Sequence, residues 1–432
     1  MRSLAAALGQ PGSTNAPETA SLLKGEAVAA IDGHFAGHLS VGGDVMKRLF
    51  GPLIAASLMS VSPLASAQDD APAPLEVEDS DTLALPDVSP HWIITEDNWA
   101  GGANRIFDGE TGKMLGQLHI TQLASTAADP AGRYFYTAET VWTKHNRGTR
   151  QDYLTVRDAK TLKVLREISL PGRLLVGNRK NLVGISGDGR HAFVYNMDPA
   201  NSIAVVDLGA GRVTKTVEVP GCSLVTGFGK DGGITLCSDG TAGLVSVGQR
   251  KEPVVTTSEA FFSAENDPVF DNFAVNALTA EAVFLTYSGK VVSASNKGTL
   301  KLGEPWSLQE AAGYPVGTTA PLNVNWYPGG RQPLAYNSRA DRLFVLMHMG
   351  EFWSQKVPGQ EIWVFEASTR KLLKRVKLPG SITDLAVSQD AAPLLFLGSE
   401  GTLFVWDALT LEPKHEIEEA GHGMLLVPAV GP

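Results

Sequence analysis

One turn recurs along this chain at a nearly fixed interval, and that recurrence restricts the fold more than any single motif does. The unit is a hydrophobic strand ending in an acidic residue, then a small or polar turn with Lys or Arg, then a second alternating strand. It reads RIFDGETGKMLGQL from Arg105, TVRDAKTLKVLREI from Thr155, AVVDLGAGRVTKTV from Ala204, WVFEASTRKLLKRV from Trp363 and FVWDALTLEPKHEI from Phe404. The acidic positions Asp108, Asp158, Asp207, Glu366 and Asp407 stand 50, 49, 159 and 41 residues apart. Two degenerate copies fill the long gap, LVSVGQRKEPV from Leu244 and VVSASNKGTLKL from Val291, which brings the series to seven.

A second series, a polar turn around Asp and Gly followed by a strand, lies upstream of each copy. Its clearer members are DPAGRYFYTA from Asp129, GDGRHAFVYN from Gly187, KDGGITLCSD from Lys230, RADRLFVLMH from Arg339 and SQDAAPLLFLG from Ser388. Two interleaved turn series describe four-stranded antiparallel sheets. One such sheet cannot bury both faces alone, but sheets set radially cover one another. The expectation is an all-β fold, a seven-bladed β-propeller of four-stranded antiparallel sheets over residues 81–432, with six or eight blades as neighbouring solutions. A pair of β-sandwiches leaves the period near 50 unexplained.

Upstream of the repeats, MKRLFGPLIAASLMSVSPLASAQDD from Met46 has a basic start, an apolar stretch and small residues Ala65 and Ala67 before Gln68. That pattern is a secretory signal over residues 46–67; an uncleaved membrane anchor is the other reading. Residues 1–45 then have no role ahead of a signal and read as an over-extended start. Residues 68–80, with EVEDSD from Glu76, read as a flexible acidic arm.

A formal net charge of −10 argues against a nucleic-acid partner, whose phosphates require a concentrated excess of Lys and Arg. After signal cleavage no membrane segment is expected. The two cysteines, Cys222 and Cys237, lie across a strand, a turn and a strand; in an oxidising compartment they read as a disulfide and not as a catalytic or zinc pair.

No GxSxG, P-loop, HExxH or EF-hand pattern is present, so no catalytic residue is assigned. Residues His91, His119, His145, His191, His348, His415 and His422 are scattered, and no metal site is assigned. Asp267, before Pro268, reads as a turn residue. Most of the eight tryptophans read as blade packing, whereas exposed ones gathered on one rim would make a partner surface. The segment TVWTKHNRGTRQDYLTVRD from Thr140 holds a basic loop longer than a blade needs. Lys144, Arg147 and Arg150 can face a partner's carboxylates, with Gly148 allowing the reversal; the alternative is an internal tie such as Arg150 to Asp152.

These segments, together with FFSAENDPVF (261–270), PWSL (305–308), YPGG (327–330) and EIWVFE (361–366), resemble the heavy subunit of quinoprotein amine dehydrogenases. The likeness runs from about residue 80 to the C-terminus. The stretches around 261–308 and 344–366 are closer to the aromatic amine dehydrogenase branch than to the methylamine branch.

The resemblance implies a periplasmic α2β2 heterotetramer in which this chain has no cofactor. A light subunit would carry tryptophan tryptophylquinone and the catalytic base, oxidise a primary amine to aldehyde and ammonia, and pass electrons to an azurin- or amicyanin-like blue copper protein. In EDNWAGGANRIFDG the resemblance places Trp99 at the substrate entrance, with structural packing as the other reading. Two rivals remain: a free-standing metal-dependent lactonase or hydrolase, and a purely binding propeller.

Overall fold

A computed structural model describes residues 84–96, 103–145, 147–175, 179–248 and 252–430. The expected segments 1–45, 46–67 and 68–80 lie outside the described residues, as does Trp99. Among the described residues the strands form seven antiparallel sheets, each built from strands consecutive in sequence except the first. There the last strand, Met424–Leu426, pairs with Trp92–Glu96 and closes the ring, with Ile94 opposite Leu426 and Glu96 opposite Met424. No helix among the described residues is long and apolar enough to cross a membrane.

We number the blades by sequence. Blade 1 holds Trp92–Glu96 and the closing strand; blade 2 begins at Ser125–Ala128, blade 3 at Val183–Ile185, blade 4 at Cys222–Gly227, blade 5 at Ala274–Asn276, blade 6 at Asn325–Pro328 and blade 7 at Asp384–Val387.

The repeating acidic residue has a local chemical task. Asp108 accepts hydrogen bonds from the Glu110 N–H and the Thr111 hydroxyl, Asp158 from Lys160 and Thr161, Asp207 from Ala210, and Asp407 from Leu409 and Thr410. Each carboxylate satisfies turn donors that the ladder leaves open, which ends the strand at that residue. A register shift precedes it in the same place each time, at Ile106/Phe107, Val156/Arg157, Val205/Val206, Val364/Phe365 and Val405/Trp406. Such a bulge adds local twist, which each blade needs to pack on the next.

Five strands, not four, occur in two blades. In blade 6 the strand Arg342–Gly350 is long enough for two short partners, Leu334–Asn337 along its first half and Asn325–Pro328 along its second. Pro333 cannot donate to the ladder and falls in the gap between them. In blade 5, Trp306–Ser307 adds to Lys290–Asn296.

The core lies between blades. Phe193, Val225, Ile234 and Phe284 share one apolar cluster that spans blades 3, 4 and 5, and Ile93, Phe396 and Val405 join blade 1 to blade 7. Truncating one such buried Phe to Ala costs about 3–5 kcal/mol. At Gly184 and Gly227 the inner strands of blades 3 and 4 nearly touch: a Cβ on Gly227 would stand 1.7 Å from the Ile185 carbonyl oxygen. Only glycine fits there.

Candidate functional site

The two ends of the ring differ. At one end, the turns that follow the inner strands are short and lock to one another: the Gly187 N–H donates to the Gly229 carbonyl (2.8 Å) and the Gly229 N–H to that of Ala277 (3.0 Å). The opposite end carries the long connections 171–182, 258–273 and 303–324, and the inner strands begin there. Their starts are stitched by side chains. Asn181 Nδ2 donates to the Asp271 carbonyl, Asn272 Nδ2 to that of Arg331, and Gln332 Nε2 to those of Leu385 and Leu425. A rigid ring with long loops on one face is the usual platform for binding and chemistry.

All the inner strands line a central channel, a space of about 160 Å³ walled by Ala127, Val183, Phe273, Leu334, Leu385 and Leu426 among others. Charge gathers at its loop-face mouth. Arg331 clasps the buried Asp384 through two hydrogen bonds, at 2.9 and 2.6 Å. Burial pushes the Glu96 carboxyl up to about 7, against the pull of the Lys180 ammonium and a 3.0 Å hydrogen bond from the Thr126 N–H. Burial lowers Lys180 in turn, opposed by Glu96 and Asp384. Both groups are moved toward their neutral forms because a low-dielectric channel disfavours isolated charge.

Beside this mouth is a recess of about 490 Å³, lined by Arg179, Phe270, Asn272, Tyr287, Arg331 and Lys356 among others. Arg179 pairs with Asp271 at its wall. The Phe270 and Tyr287 rings are 4.7 Å apart, and Trp353 meets Tyr287 edge-on at 6.0 Å.

The loop bearing Trp353 is fixed from below by His348. His348 Nε2 lies 2.7 Å from Ser354 Oγ, and the Ser354 hydroxyl donates to the Glu351 carbonyl. With that hydrogen spent, Ser354 accepts from His348, which leaves Nδ1 as the bare nitrogen, buried without a partner. Burial holds this imidazole down at about 4.

The basic segment in blade 2 is not a loop but a β-ribbon. Strands Tyr134–Lys144 and Arg147–Asp158 pair nearly to their tip, through Thr140 opposite Asp152, Trp142 opposite Arg150 and Lys144 opposite Arg147. Alternating Thr, Val, Trp and Gln side chains keep the ladder going past the blade edge. Lys144 and Arg147 are exposed there. The reversal uses His145 at φ 63°, with Gly148 at φ 94°, where a Cβ would strike Thr143 Oγ1 at 2.3 Å.

Arg150 follows the alternative sequence reading. It donates to Asp152 (3.0 and 3.2 Å) and to the Arg173 carbonyl (2.8 Å). Arg173 is buried beneath it, donating to Thr140 Oγ1 and the Leu123 carbonyl. Burial lowers Arg173 to about 10, partly countered by Asp152. The base of the ribbon is therefore a polar lock that ties together three segments.

Cys222 and Cys237 are joined by a disulfide and face each other across the ladder of blade 4. Asp267 ties its own turn to a second one: its carboxylate accepts from the Ser288 N–H and hydroxyl at 2.9 and 2.7 Å. Among the described residues no group of three His, Cys, Asp or Glu side chains is placed to hold a metal ion. Trp92, Trp363 and Trp406 are buried in blades, whereas Trp353 stands exposed on the loop face. Nothing in the sequence sets Trp353 apart from the other tryptophans. The mouth groups Glu96, Lys180 and Asp384 carry no motif because distant parts of the chain supply them, and His348 and Ser354, six residues apart in blade 6, match no pattern of known chemistry.

A family model for the methylamine dehydrogenase heavy chain matches residues 98–430 of this ring. The chain belongs to that family. The methylamine dehydrogenase heavy chain of Paracoccus versutus is 29% identical over 328 residues, 74% of each chain. That of Methylophilus methylotrophus is 28% identical over 396 residues, 88% of this chain and 95% of its own length. The heavy-chain match takes in every blade, and the strand Trp92–Glu96 alone among the described strands lies outside it.

Proposed function

We propose that this heavy chain is the propeller subunit of a periplasmic amine dehydrogenase, an α2β2 assembly in which a separate light subunit performs the chemistry. The family match across the ring carries this reading. Tryptophan tryptophylquinone on the light subunit would take two electrons from a primary amine, and water would release the product as aldehyde and ammonia. The electrons would pass to an azurin- or amicyanin-like blue copper protein. This chain's residues would place the light subunit and wall off the amine's path, with Trp99 at the entrance. Lys144 and Arg147 would meet carboxylates of a neighbouring subunit, while Arg150 braces their ribbon from inside.

The preferred substrate on this reading is an aromatic or arylalkyl amine, supported by the resemblance of FFSAENDPVF and EIWVFE to the aromatic branch. Residues 46–67 would direct export, 68–80 would remain as an arm, and translation would begin at Met46. Purification of the tagged heavy chain from its native cell tests the whole reading. It should bring down a small cysteine-rich subunit with quinone absorbance, oxidise phenethylamine faster than methylamine, and yield a mature N-terminus at Gln68. A pure single chain with neither partner nor quinone would refute it.

A further inference from the structure

The recess of about 490 Å³ beside the channel mouth is assembled from several separate stretches of chain, and hydrogen bonds between them hold its frame in place. The Asn181 amide donates to the Asp271 carbonyl (2.8 Å), the Asn272 amide to that of Arg331 (2.7 Å), and the Gly330 N–H to that of Gln355 (3.0 Å). One wall is aromatic: the Phe270 and Tyr287 rings lie 4.7 Å apart with their planes inclined at 54°. A preformed, partly aromatic hollow of this size suits a small organic ligand.

Two unmet demands define that ligand. The first is charge. Arg179 is paired with Asp271 and Arg331 with Asp384, so of the lining cations Lys356 is the one left without a carboxylate among the described residues. It stands exposed at the rim, where an ammonium on a flexible stem can follow an anion into the recess. The second demand is for hydrogen bonds. Asn272 Oδ1 and Gln355 Oε1 are buried amide oxygens with no donor, and both residues line the recess. The orientation of the Asn272 amide is fixed, because its nitrogen is already committed to the Arg331 carbonyl. Asn272 is 5% exposed, so its idle oxygen carries a desolvation cost that an incoming N–H or O–H removes.

We infer that this recess binds a small aromatic acid that carries one negative charge and one hydrogen-bond donor. The carboxylate meets Lys356, the donor answers Asn272 Oδ1, and the ring packs on Phe270 and Tyr287. Its charge is opposite to that of the protonated amine consumed in the proposed reaction, so this is a second site and not a stretch of the amine's path. Every group involved belongs to this chain, and binding does not depend on the quinone.

Calorimetric titration of the full mature chain, purified from its native cell with any bound subunit retained, tests the site with three probes. Para-hydroxyphenylacetate, which has ring, carboxylate and donor, should bind saturably. Phenylacetate, which lacks the donor, should bind about tenfold more weakly, and tyramine, which lacks the carboxylate, should show no saturable binding. Lys356→Gln should weaken the acid about tenfold with the melting point unchanged, because the side chain stands at the exposed rim. Hydrogen exchange on the wild-type chain needs no variant: saturation with para-hydroxyphenylacetate should slow residues 270–272 and 355–356. The site is overturned by absence of saturable binding of the acid, by tyramine binding as tightly as the acid, by wild-type affinity in Lys356→Gln, or by protection confined to other residues.

Discussion

Arg331 holds Asp384 with both sides of its guanidinium, at the point where the inner strands of blades 6 and 7 begin, and the Thr383 hydroxyl gives Asp384 a further hydrogen bond at 2.6 Å. Asp384 is 1% exposed, so removing its partner strands a charge in low dielectric. Arg331→Met should lower stability by about 2–3 kcal/mol, less than a fully buried pair would lose because Arg331 is partly exposed. The midpoint of urea unfolding measures this. An unchanged midpoint would show that the mouth of the channel does not depend on the pair.

The Cys222–Cys237 disulfide closes a 15-residue loop in blade 4. Replacing both cysteines with alanine should cost about 3 kcal/mol by loop-closure entropy. Thermal melting with and without reductant checks it, since the wild type should fall to the melting point of the double variant on reduction. Equal melting of wild type under both conditions would contradict the prediction.

Lys144→Glu with Arg147→Glu should weaken assembly into the heterotetramer and leave the melting point of the isolated heavy chain unchanged, because both side chains extend beyond the blade. Light scattering of the complex at low and moderate salt measures the effect, which should shrink as salt screens the contacts. Arg150→Ala should do the reverse, destabilising the chain by freeing the polar lock around Asp152 and Arg173.

His348 gives a pH signature. Its folded value of about 4 lies below the ordinary 6.5, so the imidazole stays neutral in the fold. Above pH 6.5 both folded and unfolded states are neutral and stability is at its full value. As pH falls from 6.5 toward 4, the unfolded chain takes up a proton that the folded chain excludes, and stability drops by up to roughly 3 kcal/mol. His348→Gln should flatten that part of the stability profile. A slope unchanged by the substitution would assign it to other groups.

The blade count was legible because Asp108, Asp158, Asp207 and Asp407 each do a local job, capping a turn a few residues away, and a local job repeats visibly in sequence. The ring closure, with Ile94 opposite Leu426, was not legible, because it rests on a three-residue strand that belongs to neither turn series. The functional face was not legible in that way. Glu96 and Asp384 come from blades 1 and 7 and Lys180 from the connection between blades 2 and 3, and the exposure of Trp353 depends on a strand pairing between Asn325–Pro328 and Arg342–Gly350 that no periodicity announces. The KHNRGTR segment stands out in the sequence, and the Arg150–Asp152 tie is one of its two readings, but its ribbon form depends on a ladder continuing beyond the core.

Amine turnover decides whether this ring lends shape or reactivity. The mature heavy chain, purified without its light subunit, should show no phenethylamine-dependent reduction of a redox dye, and adding the light subunit should restore it in proportion to complex formed. Steady turnover by the heavy chain alone, at a rate that the light subunit does not change, would contradict the scaffold role.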